Sequence, residues 1–321
     1  MGKDRPETQK SLRALPGRNT GLRACWMLLM GGVLLTAMAW GASSSPSEKP
    51  KGTTDKTAAA NFVGSETCAG CHDEVSKGFA GNPHEKAAIQ HNGVTVTCEN
   101  CHGAGKEHVE GGGDKSKIFN PAKATTKEVD ARCLSCHRGQ HSNFERSQHA
   151  KANVSCVSCH SVHSGDDKEH LLKTSEHKLC LQCHTETKPQ FAMPFHHKVE
   201  EGLIKCNDCH DPHGTFQANN LKTTADKNAI CTKCHTDTRG PFVFEHPVVK
   251  SEGCMACHTP HGSQNARLLN VPNINSLCKQ CHSPMAAGNI HGAGQGSSVA
   301  TSCVDCHTMV HGSNVSQAFI R

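Results

Sequence analysis

Every cysteine after Cys25 in this 321-residue chain falls in one five-residue frame, Cys-x-x-Cys-His, which occurs ten times. The twenty cysteines are Cys68, Cys71, Cys98, Cys101, Cys133, Cys136, Cys156, Cys159, Cys180, Cys183, Cys206, Cys209, Cys231, Cys234, Cys254, Cys257, Cys278, Cys281, Cys303 and Cys306. The motif histidines that follow them are His72, His102, His137, His160, His184, His210, His235, His258, His282 and His307. This is the c-type haem attachment motif, in which two thiols bond to the porphyrin vinyl groups and the histidine binds the iron. The sequence therefore predicts ten covalently attached c-type haems.

Three other interpretations of the cysteines explain less of the pattern. Disulfides are common in exported proteins, but they give no reason for a histidine after every second cysteine. A zinc site would need further ligands beside each cysteine pair. A thioredoxin-like redox motif needs a βαβ setting, which the sequence lacks.

The motifs fall into pairs, and each pair carries two more histidines in a repeating position. One of these, here called the between-motif histidine, lies between the two motifs of the pair. The other, the after-motif histidine, follows the second motif. The between-motif set is His84, His149, His197, His246 and His291, and the after-motif set is His108, His163, His213, His261 and His311. Together they provide one second axial ligand for each iron, so we predict bis-histidine ligation throughout. An after-motif histidine is too close to its own motif to reach the opposite face of that haem, so we expect it to bind a neighbouring haem.

Five histidines lie outside this pattern: His91, His141, His170, His177 and His196. We choose His197 over His196 because its spacing from the next motif is closer to that of His149 and His246. His91 is the alternative to His108, whose offset from the preceding motif departs from the other units. A solvated surface side chain is the alternative for any single histidine, but repetition in register favours ligation.

Hydrophobic residues make up 35% of the chain, below the roughly 45–50% of ordinary globular proteins. Haems would therefore supply the apolar core. We predict a multihaem cytochrome c fold of mostly short α-helices and loops wrapped round a quasi-linear haem stack, with little β-structure. Helices are predicted over Ser65–Phe79 and Thr125–Arg138. The decahaem domain spans 62–321 as five two-haem units, units 1 to 5, at about residues 62–112, 125–172, 173–222, 223–270 and 271–321.

The first 42 residues have the form of an export signal. Basic residues up to Arg23 precede the apolar run Ala24–Ala39, and small residues follow. The run is shorter than the about 20 residues of a membrane-spanning helix, so a cleaved signal peptide is favoured over an uncleaved anchor. Cys25 is removed with it in this prediction, and residues 43–61 form a flexible tether rich in Ser, Pro, Lys and Thr. We expect export to the periplasm.

The net charge of +5 does not indicate a nucleic-acid partner. Residues 1–42 carry six basic and two acidic side chains, so +1 remains without them. Ten haems would add about twenty propionate groups. The holoprotein is then acidic, and no basic surface for nucleic acid is expected.

The predicted ligands indicate an electron carrier without catalytic residues. Methionine as an axial ligand raises the haem potential, but no methionine repeats from unit to unit, so the potentials should be low and overlapping. A multihaem reductase with one open haem is an alternative, and it would need an irregular motif or an iron without a second ligand. A soluble periplasmic electron shuttle or store is another, and it differs from a conduit only in its partners.

The arrangement resembles the MtrA/DmsE-type periplasmic decahaem cytochromes. The resemblance covers nearly all of residues 62–321 and includes the segments CHDPHG, CHTPHG and GPFVFEHP and the terminal VHGSN. It implies an electron conduit held inside an outer-membrane β-barrel porin, with periplasmic and extracellular cytochromes as partners. By the same resemblance, the role is extracellular electron transfer, either metal reduction or ferrous iron oxidation. The ten second histidines occupy positions that match the family pattern.

Overall fold

The structure is a computed structural model that describes residues 60–86, 96–282 and 301–321. The predicted signal peptide with Cys25, the tether up to residue 59, His91 and His291 lie outside the described residues. The described residues all belong to one compact unit.

Short helices joined by turns and loops make up most of the described chain, which confirms the predicted fold class. The α-helices are Ser65–Ala69, Asp73–Phe79, Pro83–Lys86, Cys98–His102, Lys106–Glu110, Thr126–His137, Gln148–Lys151, Cys156–Cys159, Glu176–Leu181, Lys188–Phe191, Cys206–Cys209, Pro247–Ser251, Ile274–Lys279 and Cys303–Cys306. The 3-10 helices are Lys115–Lys117, Phe144–Arg146, Ala218–Asn220, Thr236–Thr238, Cys254–Ala256 and Ala266–Leu268. Among the described residues, no helix is long and apolar enough to cross a bilayer.

Helix Thr126–His137 forms where the sequence predicts one, because its start is well capped. The Thr125 side chain accepts a hydrogen bond from the Glu128 backbone N–H, and the Glu128 carboxylate accepts one from the Thr125 backbone N–H. The helix predicted over Ser65–Phe79 is instead two helices, Ser65–Ala69 and Asp73–Phe79. His72 has a non-helical backbone conformation and starts the second helix as its N-cap, so the first haem motif breaks the helix.

Within the described residues, four two-residue strands form two antiparallel pairs. Phe195–His196 pairs with Gly262–Ser263, and Phe244–Glu245 pairs with Gly312–Ser313, with Phe195 opposite Ser263 and Phe244 opposite Ser313. In each pair, the first strand ends one residue before a between-motif histidine, His197 or His246, and the second begins directly after the next unit's after-motif histidine, His261 or His311. The small amount of β-structure therefore joins consecutive units.

Two glycines in these strands are required by close packing. A side chain on Gly262 would collide with the backbone oxygen of Gln190, and one on Gly312 would collide with the Phe242 ring. Gly312 also has a φ of +145°, which side chains other than glycine rarely adopt. Glycine at these two positions thus allows the Gln190 backbone and the Phe242 ring to approach.

Few apolar side chains are buried within the described residues. The buried hydrophobic residues are Val129, Leu134, Phe144, Leu171, Phe191 and Val199. Several large ones are exposed, including Phe216 at 81% and Leu203 at 77%. Such a small side-chain core fits the prediction that porphyrins supply most of the apolar interior.

Candidate haem-binding sites

Nine pairs of histidine rings face each other at nearly equal spacing, with ring centroids 5.9 to 6.3 Å apart. Each pair joins a motif histidine to one of the predicted second histidines. The pairs are His72–His108, His102–His163, His137–His84, His160–His213, His184–His149, His210–His261, His235–His197, His258–His311 and His282–His246. The tenth motif histidine, His307, is described, whereas the remaining second histidine, His291, is not.

This spacing fits one haem iron between the two rings of each pair. A metal–imidazole bond is about 2 Å long and the bonding nitrogen lies about 1 Å from its ring centroid, so two imidazoles on opposite sides of one iron have centroids about 6 Å apart. Two imidazoles in direct contact come much closer, as His141 and His213 do at 4.0 Å. The residues present therefore fit a haem at each of the nine places.

The pairs cross the boundaries of the predicted units in both directions. A between-motif histidine faces the first motif of the next unit, as His84 faces His137. An after-motif histidine faces the second motif of the preceding unit, as His163 faces His102. His108 is the exception, because it faces His72 within its own unit. Spacing in the sequence did not reveal this assignment.

The cysteines place the ten motifs in one series that follows the chain. Within each unit, the first cysteines of the two motifs are close enough to hydrogen bond: Cys68–Cys98, Cys133–Cys156, Cys180–Cys206, Cys231–Cys254 and Cys278–Cys303. From one unit to the next, second cysteines lie close enough that, after the larger effect of burial, one raises the pKa of the other: Cys101–Cys136, Cys159–Cys183, Cys209–Cys234 and Cys257–Cys281. Within the described residues, none of the twenty forms a disulfide. Each motif is therefore next to the following one.

A polar side chain in front of the first motif fixes the second motif of the same unit. The Asp130, Asn228 and Asn275 side-chain oxygens accept the backbone N–H of Cys156, Cys254 and Cys303 at 2.9, 2.9 and 2.8 Å. Ser65 plays the same part for Cys98 at 3.3 Å. Each acceptor stands three residues before its first motif. A recurring short polar residue at that position was the available signal, and the sequence analysis missed it.

Backbone carbonyls orient the motif histidines. The Nδ1 atoms of His160, His210 and His258 lie 2.8 Å from the carbonyl oxygens of His170, Asn219 and Arg267. Those of His102 and His307 contact the carbonyl oxygens of Phe119 and Ala318. A histidine that donates from Nδ1 presents an unprotonated Nε2, the atom that would bind iron.

Most of these accepting carbonyls are followed by a residue in the left-handed backbone conformation. Leu171, Asn220, Leu268 and Phe319 have φ between 52° and 58°, and each directly follows an accepting residue. The carbonyl oxygens of Leu171, Asn220 and Leu268 also accept the backbone N–H that follows the motif histidine. A left-handed conformation costs about 1–2 kcal/mol for a residue with a side chain. Leucine and phenylalanine give no sequence signal for it.

Between-motif histidines are held by a second repeated contact. The Nδ1 atoms of His149, His197 and His246 lie 2.8, 2.6 and 2.8 Å from the carbonyl oxygens of Pro212, Pro260 and Val310. Each of these carbonyls immediately precedes the after-motif histidine of the next unit. His84 differs, because its buried Nδ1 has no hydrogen-bond partner among the described residues.

Burial favours the neutral form of several second histidines. Burial is the main cause of a lowered pKa at His84, His163, His261 and His311. Burial and then the charge of His141 lower the pKa of His213 to about 4. Neutral imidazole is the form that binds a metal.

The structure also places most of the histidines that competed for these roles. His196 Nε2 lies 3.1 Å from the Glu201 carboxylate, whereas His197 faces His235 at 6.2 Å. His141 lies 6.0 Å from His137, close to the 5.9 Å of His84. His141 follows His137 by only four residues, which are too few to reach the opposite face of the same haem. His84 is therefore the histidine that fits the role of second ligand. His91 lies outside the described residues.

Two family profiles match the chain, one described as "Doubled CXXCH motif" at residues 196–240 and 246–287 and one as "Cytochrome c-type protein NrfB-like" at residues 98–178. The Multiheme cytochrome MtrA of Shewanella baltica is 33% identical over 296 residues, which cover 87% of each chain. The chain belongs to the MtrA family of multihaem c-type cytochromes. Its Cys-x-x-Cys-His motifs therefore attach c-type haem covalently, and electron transfer is the activity that this membership implies.

Other relatives of this MtrA-family chain are also multihaem cytochromes. Cytochrome c-type protein NrfB of Escherichia coli is 30% identical over 175 residues, which cover 51% of this chain and 90% of NrfB. C-type polyheme cytochrome OmcB of Geobacter sulfurreducens is 25% identical over 203 residues, which cover 54% of this chain and 25% of OmcB. The chain is thus similar to c-type cytochromes of quite different lengths.

Proposed function

We propose that this MtrA-family chain carries ten bis-histidine haems and passes electrons along them across the outer membrane, inside a β-barrel porin. The observation that supports this proposal is the series of cysteine contacts that brings each motif beside the next, together with nine histidine pairs at the spacing of one iron. His291 is the tenth second ligand in this proposal, because it is the second histidine left for His307.

Bound haem supplies a one-electron iron couple, and the chain's residues position it. The thiols would attach each porphyrin covalently, and the two histidines of each pair would bind its iron. The carbonyl contacts to Nδ1 orient these rings and raise their basicity. Two histidine ligands for each iron would favour a low potential and would leave no iron position for a substrate. The chain then works as an electron carrier rather than as an enzyme.

The proposed location and partners follow from the N-terminal sequence and the family. The basic and apolar segment before residue 43 supports export to the periplasm. The MtrA family supports association with an outer-membrane porin, and with periplasmic and extracellular cytochromes as electron donors and acceptors. Extracellular electron transfer, as metal reduction or ferrous iron oxidation, is the resulting role. A soluble shuttle or store, or a reductase with one open haem, is the competing function.

Vesicles provide the test of the conduit. Outer membranes would be solubilised, and the tagged chain purified with whatever barrel protein accompanies it. The complex would be placed in lipid vesicles that contain reduced methyl viologen, with ferric citrate outside. We expect rapid viologen oxidation with the complex and none with the cytochrome alone. Recovery of only free monomer, with no transfer across the vesicle, would instead support the shuttle.

Haem content and spin state test the rest of the proposal. A pyridine haemochrome assay and the intact mass should give ten haems per chain. Electron paramagnetic resonance of the oxidised protein should show low-spin haem throughout. A high-spin signal from about one haem in ten, with turnover of a small substrate, would support the reductase.

A further inference from the structure

Units 1 and 2 hold their between-motif histidines in matching places but with different contacts. Asn82 and Ser147 each stand two residues before the histidine, at the start of the four-residue helices Pro83–Lys86 and Gln148–Lys151. Both residues are buried, at 4% and 3% exposure. The two segments are therefore a natural comparison at one structural position.

Both residues cap the helix that follows them. The Asn82 Oδ1 atom accepts the backbone N–H of His84 at 2.8 Å and that of Glu85 at 3.2 Å. The Ser147 hydroxyl oxygen accepts the backbone N–H of Ala150 at 3.1 Å. Serine and asparagine are both favourable N-caps, so capping alone does not explain the difference between them.

The two units differ in which side chain hydrogen-bonds to the backbone carbonyl that precedes the next unit's after-motif histidine. In unit 2, His149 uses the Pro212 carbonyl, which precedes His213. In unit 1, the corresponding carbonyl is that of Val162, which precedes His163, and the Asn82 Nδ2 atom donates to it at 2.8 Å. Serine has no second donor of this kind. Asn82 thus occupies the acceptor that would otherwise serve His84, whose Nδ1 is buried without a partner among the described residues.

We propose that Asn82 is a positioning residue that makes the haem of Cys133 and Cys136 easier to reduce than the haem of Cys180 and Cys183. A hydrogen bond from Nδ1 raises the basicity of an axial histidine and stabilises ferric iron. His149 has this bond and His84 does not. Of these two haems, an electron therefore resides preferentially on the one between His84 and His137. This inference rests on the proposed ligation of that haem by His84.

The first measurement tests iron ligation by His84 separately from the role of Asn82. His84→Ala in the holoprotein should give a high-spin ferric signal equal to about one haem in ten. Without that signal, the proposed ligation by His84 fails before the role of Asn82 is reached. With it, the effect of Asn82 can be tested on its own.

The second measurement is an anaerobic spectroelectrochemical titration of Asn82→Ser, which gives unit 1 the residue found in unit 2. The hydroxyl keeps a helix cap, and the loss of the amide frees the Val162 carbonyl for His84. We expect about one-tenth of the haem absorbance change to move to lower potential. A tenfold change in the reduced-to-oxidised ratio of that haem corresponds to about 59 mV for one electron.

Two further variants complete the design. Ser147→Asn should move about one-tenth of the absorbance change to higher potential, because asparagine would compete with His149 for the Pro212 carbonyl. Asn120→Ser is the matched control, since Asn120 accepts the Ala122 backbone N–H at 3.0 Å in a separate turn, and it should leave the titration unchanged. If Ser147→Asn fails to assemble, the Asn82→Ser result still decides. A titration of Asn82→Ser that superimposes on the wild type, at equal haem content and circular dichroism, overturns the proposal.

Discussion

His149 Nδ1 lies 2.8 Å from the carbonyl oxygen of Pro212, although 63 residues separate them along the chain. Pro212 directly precedes His213, and the rings of His149 and His213 face the motif histidines His184 and His160. The proposed ligand of one haem is therefore oriented by the backbone that carries the ligand of another. Two haems that are consecutive in the row share this contact, so a change at one should be detected at both.

Removal of His213 should create an open iron at the motif of His160. We expect His213→Ala to give a high-spin ferric signal of about one haem in ten, because the 6.1 Å pair loses one ring. Electron paramagnetic resonance of the oxidised holoprotein measures this. His177→Ala is the control, because His177 belongs to none of the nine pairs and orients none of their rings. Because His141 lies 4.0 Å from His213 and can take its place, the double variant His141→Ala/His213→Ala decides: fully low-spin haem in it would contradict the assignment.

Asp130 should stabilise the folded protein through one hydrogen bond, which its carboxylate accepts from the Cys156 backbone N–H. Its Oδ1 atom accepts the Cys156 backbone N–H at 2.9 Å and so joins the two motifs of unit 2. Loss of a helix cap costs about 0.5–2 kcal/mol, and we expect Asp130→Ala to lower the thermal midpoint accordingly. Asp130→Asn keeps an acceptor, and asparagine occupies the equivalent positions 228 and 275.

Thermal unfolding of both holoproteins, followed by circular dichroism, tests this expectation. Asp130→Asn should unfold close to the wild type. If the two variants lose equal stability, the charge of Asp130 matters rather than its acceptor, and the proposed cap is wrong.

Features set by local chemistry could be predicted from the sequence, whereas features set by contacts between units could not. The haem motifs and helix Thr126–His137 follow from local chemistry, namely the fixed spacing of thiols and a capping box at Thr125. The pairing of His84 with His137 depends on contacts between units, which periodicity does not encode. The left-handed conformations of Leu171 and Phe319 are imposed by the carbonyls that orient His160 and His307. Neither residue type predicts such a backbone.

Gly262 should tolerate no side chain. A Cβ atom there would overlap the backbone oxygen of Gln190, and a backbone atom cannot move aside as a flexible side chain can. We expect Gly262→Ala to destabilise the holoprotein by about 1–3 kcal/mol, as overpacking does elsewhere. The measurement is thermal unfolding. Gly139→Ala is the control, because nothing lies within 4 Å of the added atom, and equal loss in both variants would refute the packing argument.

The hydrogen bond between His196 and Glu201 should make the stability of the folded protein depend on pH in the acid range. A hydrogen bond from His196 is the largest of the influences that lower the pKa of Glu201, from 4.5 to about 2. Between these values the unfolded chain binds a proton that the folded chain does not, so stability falls as the pH falls through this window. Above about pH 4.5 the contribution is complete.

Glu201→Gln removes this ionisation and tests the sign of the effect. The variant should be less stable than the wild type above about pH 4.5, and the two curves should converge as the pH approaches about 2. Unfolding of the holoprotein, followed by circular dichroism at several pH values, gives both curves. Glu200→Gln makes the same charge change on the adjacent exposed residue and should not reproduce the convergence. Parallel curves for Glu201→Gln and wild type across this range would show that the His196 contact does not contribute to folding.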